Sequence, residues 1–112
     1  MVHLVSAVIH PHRLDQVVDA LRAIDITGLT VTQALGASDV SHVETYRGTE
    51  HLVPFVARVK LEVVCDTFDA ELVAKVIVEA ARSGGHGDGK VWISAIERFI
   101  SIRTNEIDID AI

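Results

Sequence analysis

One cysteine, two prolines, 4% aromatic residues, and ten Lys and Arg against sixteen Asp and Glu are what this 112-residue chain is short of. Each scarcity excludes something. Cys65, alone, can form neither an internal disulfide nor a thiolate metal cluster, so the chain needs no oxidising compartment. It reads as a small buried hydrophobe on a strand. A formal charge of −6 repels phosphate backbones and anionic lipid heads, which argues against nucleic acid as a partner. No run reaches the roughly 18 uncharged apolar residues of a membrane span. The apolar start at 2–9 lacks a basic leader and stops at His10-Pro11-His12, so it is not a secretory signal and reads as a strand.

What is present is an ordinary globular balance, 49% apolar and 23% charged, with a core that has to be built from Val, Ile, Leu and Ala. The length is that of a single domain, 1–112. A domain this small buries only about two thirds of the surface its unfolded chain exposes, so oligomerisation is expected.

After the first strand, Leu14, Val17, Val18, Leu21 and Ile24 form one helical stripe, with Asp15, Gln16, Asp19 and Arg22 facing water. Gly28 reads as the exit of that helix. Residues 29–35 return to strand chemistry. Between 37 and 55 no clean period of either kind survives, and the stretch reads as a long functional loop. From 56 to 64, Val59, Leu61 and Val63 alternate with Arg58, Lys60 and Glu62, the pattern of a half-buried strand. Asp66 or Thr67 caps a second helix carrying Leu72, Val73, Val76, Ile77, Ala80 and Ala81, and 91–96 is a last strand. The order βαββαβ predicts an α+β ferredoxin-like sandwich with both helices on one face of an antiparallel sheet, the other face left for a second chain to cover.

The strongest local signal is Gly84-Gly85-His86-Gly87-Asp88-Gly89-Lys90. Its glycines let successive backbone N–H groups approach an anion, and Lys90 adds a mobile positive charge. The spacing matches the first part of a P-loop, but Val91 stands where that motif has a magnesium-binding hydroxyl and a strand follows instead of a helix. Spacing alone leaves anion binding and a plain helix-to-strand connection equally open. Arg98 and Arg103 form a second cationic group, which by itself reads as a solvated strand edge. His10 and His12 have no third ligand at fixed spacing, so no metal site is expected, and no Ser-His-Asp or Cys-His grouping argues for an enzyme.

The chain resembles the P-II nitrogen-regulatory signal proteins along its full length. The resemblance is carried by Leu14-Asp15 with Thr27-Gly28-Leu29-Thr30-Val31-Thr32, Tyr46-Arg47-Gly48-Thr49-Glu50, Gly87-Asp88-Gly89-Lys90, and Ile102-Arg103-Thr104-Asn105-Glu106 with Asp110-Ala111-Ile112. It implies a cytoplasmic homotrimer, not an enzyme, with adenine nucleotide in the clefts between subunits and no tightly bound cofactor. It further implies a T-loop at about 37–55, a B-loop at 83–90 and a C-loop at 98–104. Thr30, Glu62, Val64, Gly87, Asp88, Gly89, Lys90 and Arg103 match nucleotide-contacting positions, and Ser38 stands in the stretch at the base of the T-loop. His42, Glu44, Tyr46, Arg47, Gly48, Glu50 and His51 would form the surface that docks on a regulated protein, either an enzyme or a transporter such as an ammonium or other membrane transporter, which would recruit the chain to the membrane.

The departures shape the expected ligand. Where the family carries Gly-Arg-Gln-Lys-Gly, this chain has Ala37-Ser38-Asp39-Val40-Ser41; Arg58 stands for a lysine and Ser101 for an arginine. Each guanidinium lost from a triphosphate site removes charge-assisted hydrogen bonds of about 1.5–3 kcal/mol, and Asp39 adds repulsion. A weakened preference for triphosphate is therefore expected, with ADP or AMP ahead of ATP as ligand and the 2-oxoglutarate and Mg site weakened. His51 replaces the tyrosine that some members modify, which removes that covalent route. The alternatives are a sensor of another small ligand, a metal ion through His42, His51 or His10, or bicarbonate, and an interaction module that senses nothing.

Overall fold

The computed structural model describes residues 1–37, 42–46, 49–53 and 55–112, with the backbone alone for 42–46 and 49–53. The β-branched run Val2–Ile9 forms β1, and it becomes the inner strand on which the sheet is built. It pairs antiparallel with β5 (Val56–Asp66) on one side and with β6 (Lys90–Ile96) on the other. Strand β2 (Thr30–Gly36) pairs antiparallel with the outer edge of β5, which gives the order β2-β5-β1-β6. With helices α1 (Leu14–Arg22) and α2 (Ala70–Ala81) this is the ferredoxin-like α+β arrangement expected from the element order.

Register decides which residues face the helices. Val5, Ala7 and Ile9 of β1 pair with Val63, Leu61 and Val59 of β5, and all six are buried with Cys65 against Val17 and Leu21 of α1 and Val73, Ile77 and Ala81 of α2. Among the described residues the buried hydrophobic core holds no aromatic ring. The opposite sheet face carries Thr30, Thr32, Lys60, Glu62, Val64, Leu4, Ser6 and Trp92 in register; among the described residues neither α1 nor α2 lies over it, and only Ser6 of these is buried. There Lys60 Nζ lies 6.0 Å from the Trp92 ring centroid. No helix among the described residues is long and apolar enough to cross a membrane.

Three local expectations are corrected. The exit from α1 is made by Asp25, at φ 63°, with Ile26 N–H donating to Leu21 O at 2.9 Å and Asp25 N–H to Arg22 O at 3.0 Å. This is a Schellman closure, in which a short polar side chain tolerates the left-handed backbone. Gly28 lies beyond that turn and has no positive φ. The 37–55 stretch is not structureless: it holds a hairpin of β3 (His42–Tyr46) and β4 (Thr49–Val53), paired from His42↔Val53 to Tyr46↔Thr49. Val43, Thr45, Tyr46, Thr49 and Val53 favour strands, and a two-residue gap is hairpin spacing, but the polar residues between them hide the period. Asp66 does cap, but its carboxylate accepts from Phe68 N–H at 3.1 Å and so starts the 3-10 turn Thr67–Asp69 that leads into α2.

A 3-10 turn, Pro11–Arg13, links β1 to α1. From it Arg13 donates through Nε and Nη2 to Ala80 O at 3.1 and 2.7 Å, which satisfies a carbonyl in the last turn of α2.

Candidate functional site

Beyond α2 the chain must cross back to β6, and it does so through 83–89. Gly84, Gly87 and Gly89 take φ values of 90°, 83° and 105°, a region costly for any residue with a Cβ. Gly89 is the tightest point: a methyl built there would lie 1.7 Å from Val8 O. The loop therefore ends pressed on the β1 backbone, and Lys90 enters the ladder opposite Val8 with its side chain exposed.

Asp88 organises this loop from within. Its carboxylate accepts from the Ser83 and Gly84 amides, each at 3.0 Å, and from the Ser83 hydroxyl. The Ser83 hydroxyl first, and the amides after it, hold the Asp88 carboxyl below the usual carboxylate range. On its other side Asp88 Oδ1 meets His10 Nε2 at 3.5 Å. The His10 ring stacks on His12 with centroids 5.1 Å apart, and its Nε2 is turned toward the loop. Burial, then the Arg58 and His12 charges, push the His10 imidazole below its ordinary value, with Asp88 opposing them.

Arg58 comes from β5. It is half-buried, donates Nη1 to Ala57 O at 3.0 Å, and places Nη2 2.9 Å from where a methyl on Gly87 would stand. Arg58, Lys90, Val8, Gly36 and His86, with the loop glycines, line an open cavity of about 450 Å³. Two cations, Arg58 and Lys90, and a backbone stripped of side chains give this cavity the chemistry to accept an anion, with Asp88 as the acid on the same lining.

The structure thus brings together Gly87, Asp88, Gly89 and Lys90 of the sequence candidates and adds Arg58. Among the described residues it does not bring Thr30, Glu62, Val64 or Arg103 to the same cavity. Thr30 and Glu62 are register partners on the uncovered sheet face, beside Val64, and Glu62 is four residues along β5 from Arg58, about 13 Å. Arg103 is exposed on a small loop closed by the Ile100↔Ile107 bridge, by Ser101 N–H to Glu106 O at 2.9 Å and by Asn105 N–H to Ser101 O at 2.9 Å. Ser38, Arg47 and Gly48 lie outside the described residues, while the backbones of His42, Glu44 and Tyr46 are on β3 and those of Glu50 and His51 on β4. Strand alternation had placed Arg58 on the open face; only the register row Lys60–Val8–Lys90 shows that this end of β5 meets the glycine loop. His10, touching the loop from behind, gave no signal beyond its spacing from His12.

The family model described as nitrogen regulatory protein P-II matches residues 2–106. The nitrogen regulatory protein P-II of Rhizobium meliloti (strain 1021) is 44% identical over 109 residues, covering 96% of this chain and 97% of that protein. The protein of that name from Azospirillum brasilense is 41% identical over the same shares. The crystal structure of Arabidopsis thaliana PII bound to citrate is similar with a TM-score of 0.80 and 34% identity, over 98% of this chain and 88% of that one.

Proposed function

Because the chain belongs to the nitrogen regulatory protein P-II family, we propose that it is a cytoplasmic signalling protein, not an enzyme, that senses adenine nucleotide and regulates a partner in nitrogen or related carbon metabolism. The observation that carries the reading is the cradle itself: Gly87 to Lys90 and Arg58 converge on one open cavity of about 450 Å³. The phosphates sit there. Thr30, Glu62 and Val64 recognise the rest of the nucleotide from the uncovered face of a neighbouring subunit, and Arg103 closes over it. This division of labour explains why one chain alone separates the two sets, and it requires a homotrimer whose subunits cover each other's open sheet faces.

The charge of the cradle favours a short phosphate chain. Its cations are Arg58 and Lys90, and Gly36 and Ala37, which also line it, contribute none. Two cations match AMP or ADP better than ATP, and they leave little charge to hold the carboxylates of 2-oxoglutarate. The Arabidopsis relative was crystallised with citrate, a multiply charged anion, which supports polyanion binding in this family. Occupancy is read out by segment 37–55, the T-loop, which carries β3 and β4 and docks on the regulated protein, an ammonium or other membrane transporter.

Isothermal titration of the full chain with ADP, AMP and ATP, each with and without Mg and 2-oxoglutarate, tests the reading. ADP binding weakened about tenfold or more in Lys90→Ala and in Arg58→Ala is the expected result, from the loss of charge-assisted hydrogen bonds of about 1.5–3 kcal/mol. No heat from any nucleotide at millimolar concentration would sink it.

A further inference from the structure

The cradle has an ionisable group against it that phosphate binding alone does not use. His10 follows β1 directly and is enclosed by groups from three elements: Asp88 of the loop, with Nε2 to Oδ1 at 3.5 Å, Arg58 of β5, and His12 of the 3-10 turn, stacked at 5.1 Å. Its Cε1 is 3.8 Å from where a methyl on Gly87 would stand, so it touches the loop at a residue that lines the cavity. Asp88 is the one acid among the described lining residues, and Arg58 is shared, since it both lines the cavity and bears on His10.

We propose that His10 and Asp88 form a proton-coupled latch on the anion cradle: an anion seated at Gly87 to Lys90 draws a proton onto His10, and protonation of His10 tightens the anion. The latch rests on the phosphate-binding reading above and adds its regulation by pH.

The argument is one of charge balance. In the empty cradle, burial, Arg58 and His12 all oppose a charge on His10, and Asp88 alone favours it. A seated anion offsets Arg58 and adds a second negative charge close to the imidazole, so it raises the His10 pKa. Linkage then requires the reverse: the protonated protein binds the anion more tightly. The sign follows. Above both pKa values His10 is neutral with or without anion, and below both it is charged in both states. Between the lowered value of the empty cradle and the raised value of the filled one, affinity rises as pH falls, by at most about tenfold per pH unit for one proton. Protonated His10 also cancels the charge by which Asp88 repels an incoming anion, while the Ser83 and Gly84 contacts keep the loop folded.

The test is calorimetric titration of the full chain with ADP from about pH 8.5 to about pH 5.5, wild type beside His10→Gln. The ADP phosphate titrates in the same range, so the quantity read is the ratio of the two affinities, in which the ligand's own proton cancels. That ratio is expected to shift by about three- to tenfold in favour of the wild type as pH falls. The wild-type enthalpy should also change with buffer ionisation differently from that of His10→Gln, the difference being the proton taken up by His10 beyond the ligand's own. A flat ratio with ADP bound overturns the latch alone. So does a pH dependence that disappears in His86→Gln and survives in His10→Gln. No ADP heat in either protein overturns the nucleotide reading and the latch with it. Imidazole NMR titration of the ligand-free chain checks the pair without any ligand: Asp88→Asn should lower the His10 pKa further, and an unchanged value overturns the pairing.

Discussion

Gly89→Ala isolates the contact on which the loop geometry depends. The residue has φ 105°, and a methyl group there would stand 1.7 Å from Val8 O, an atom of the β1 backbone that no rotamer change can move aside. Left-handed strain at a residue with a Cβ costs about 1–3 kcal/mol. Relief requires the loop to lift from β1, which breaks the start of the β1–β6 ladder where Val8 faces Lys90, and a lost backbone hydrogen bond adds about 0.5–1.5 kcal/mol. The sum is about 2–4 kcal/mol, a fall in melting temperature of the order of 10–20 °C for a chain of this size. Gly28→Ala is the matched control. A methyl there meets nothing within 4 Å and the backbone is not left-handed, so the melting point should stay or rise slightly as the unfolded chain loses freedom. Gly84→Ala, strained at φ 90° but with open space around it, should fall between them. Thermal melts followed by circular dichroism, at one protein concentration because oligomers melt concentration-dependently, give the comparison. A Gly89→Ala protein melting within about 2 °C of the parent, or no lower than Gly28→Ala, would refute the reasoning.

Arg13→Ala removes both donors to Ala80 O and should cost about 1–2 kcal/mol in urea denaturation, with Arg13→Lys recovering only part; an unchanged midpoint would mean that water replaces the contact at no cost. The Asp88 carboxyl, held below the usual range mainly by the Ser83 hydroxyl, should titrate closer to an ordinary carboxylate in Ser83→Ala when followed by carboxyl NMR. Because that pKa is depressed in the folded state, its contribution is complete above the ordinary carboxylate value and is lost as pH falls from there through the depressed one, so loop opening belongs to acid, not neutral, pH. Burial first, then Asp69 and Asp66, push the Cys65 thiol up, so iodoacetamide at mildly alkaline pH should label it slowly in the native chain and quickly in urea; equal rates would contradict its place in the core.

The parts of the fold readable from sequence were those with a strong period. β1 has the expected bounds, the apolar stripe of α1 turns Val17 and Leu21 inward, and the alternation across β5 separates Val59, Leu61 and Val63 from Arg58, Lys60 and Glu62. The hairpin of β3 and β4 was missed because its strands are short and carry polar residues at most positions, so no burial signal marks them. Gly28 misled because a glycine near a helix end is the usual stop, whereas here Asp25 makes the turn three residues earlier. In the site, the glycine loop and Lys90 were visible as a local pattern. Arg58 entered only through the resemblance, as the residue standing for a lysine, and His10 only as an alternative metal ligand; their approach to the loop depends on β5 and the end of β1 lying side by side, a fact of register and not of spacing.

An acidic residue at the centre of an anion cradle looks like a contradiction, and its resolution separates geometry from charge. Asp88 directs its oxygens at Ser83 N, Ser83 Oγ and Gly84 N, so the carboxylate serves as an internal acceptor that holds the glycine loop in one shape. An amide in its place would keep the size and part of the hydrogen bonding without the repulsion, yet it would accept from three donors less strongly. The fold therefore keeps the negative charge and lines the same cavity with two cations, Arg58 and Lys90, while an ionisable imidazole, His10, meets Asp88 at 3.5 Å. Asp88→Asn should accordingly separate the two roles. Where loop order dominates, the variant binds ADP more weakly than the wild type at every pH. Where repulsion dominates, it binds more tightly at high pH, when His10 is neutral, and the advantage shrinks as pH falls and His10 protonates. The latch requires the second pattern, and weaker ADP binding at all pH values, measured by the same titrations, would show that Asp88 acts on the cradle through its shape alone.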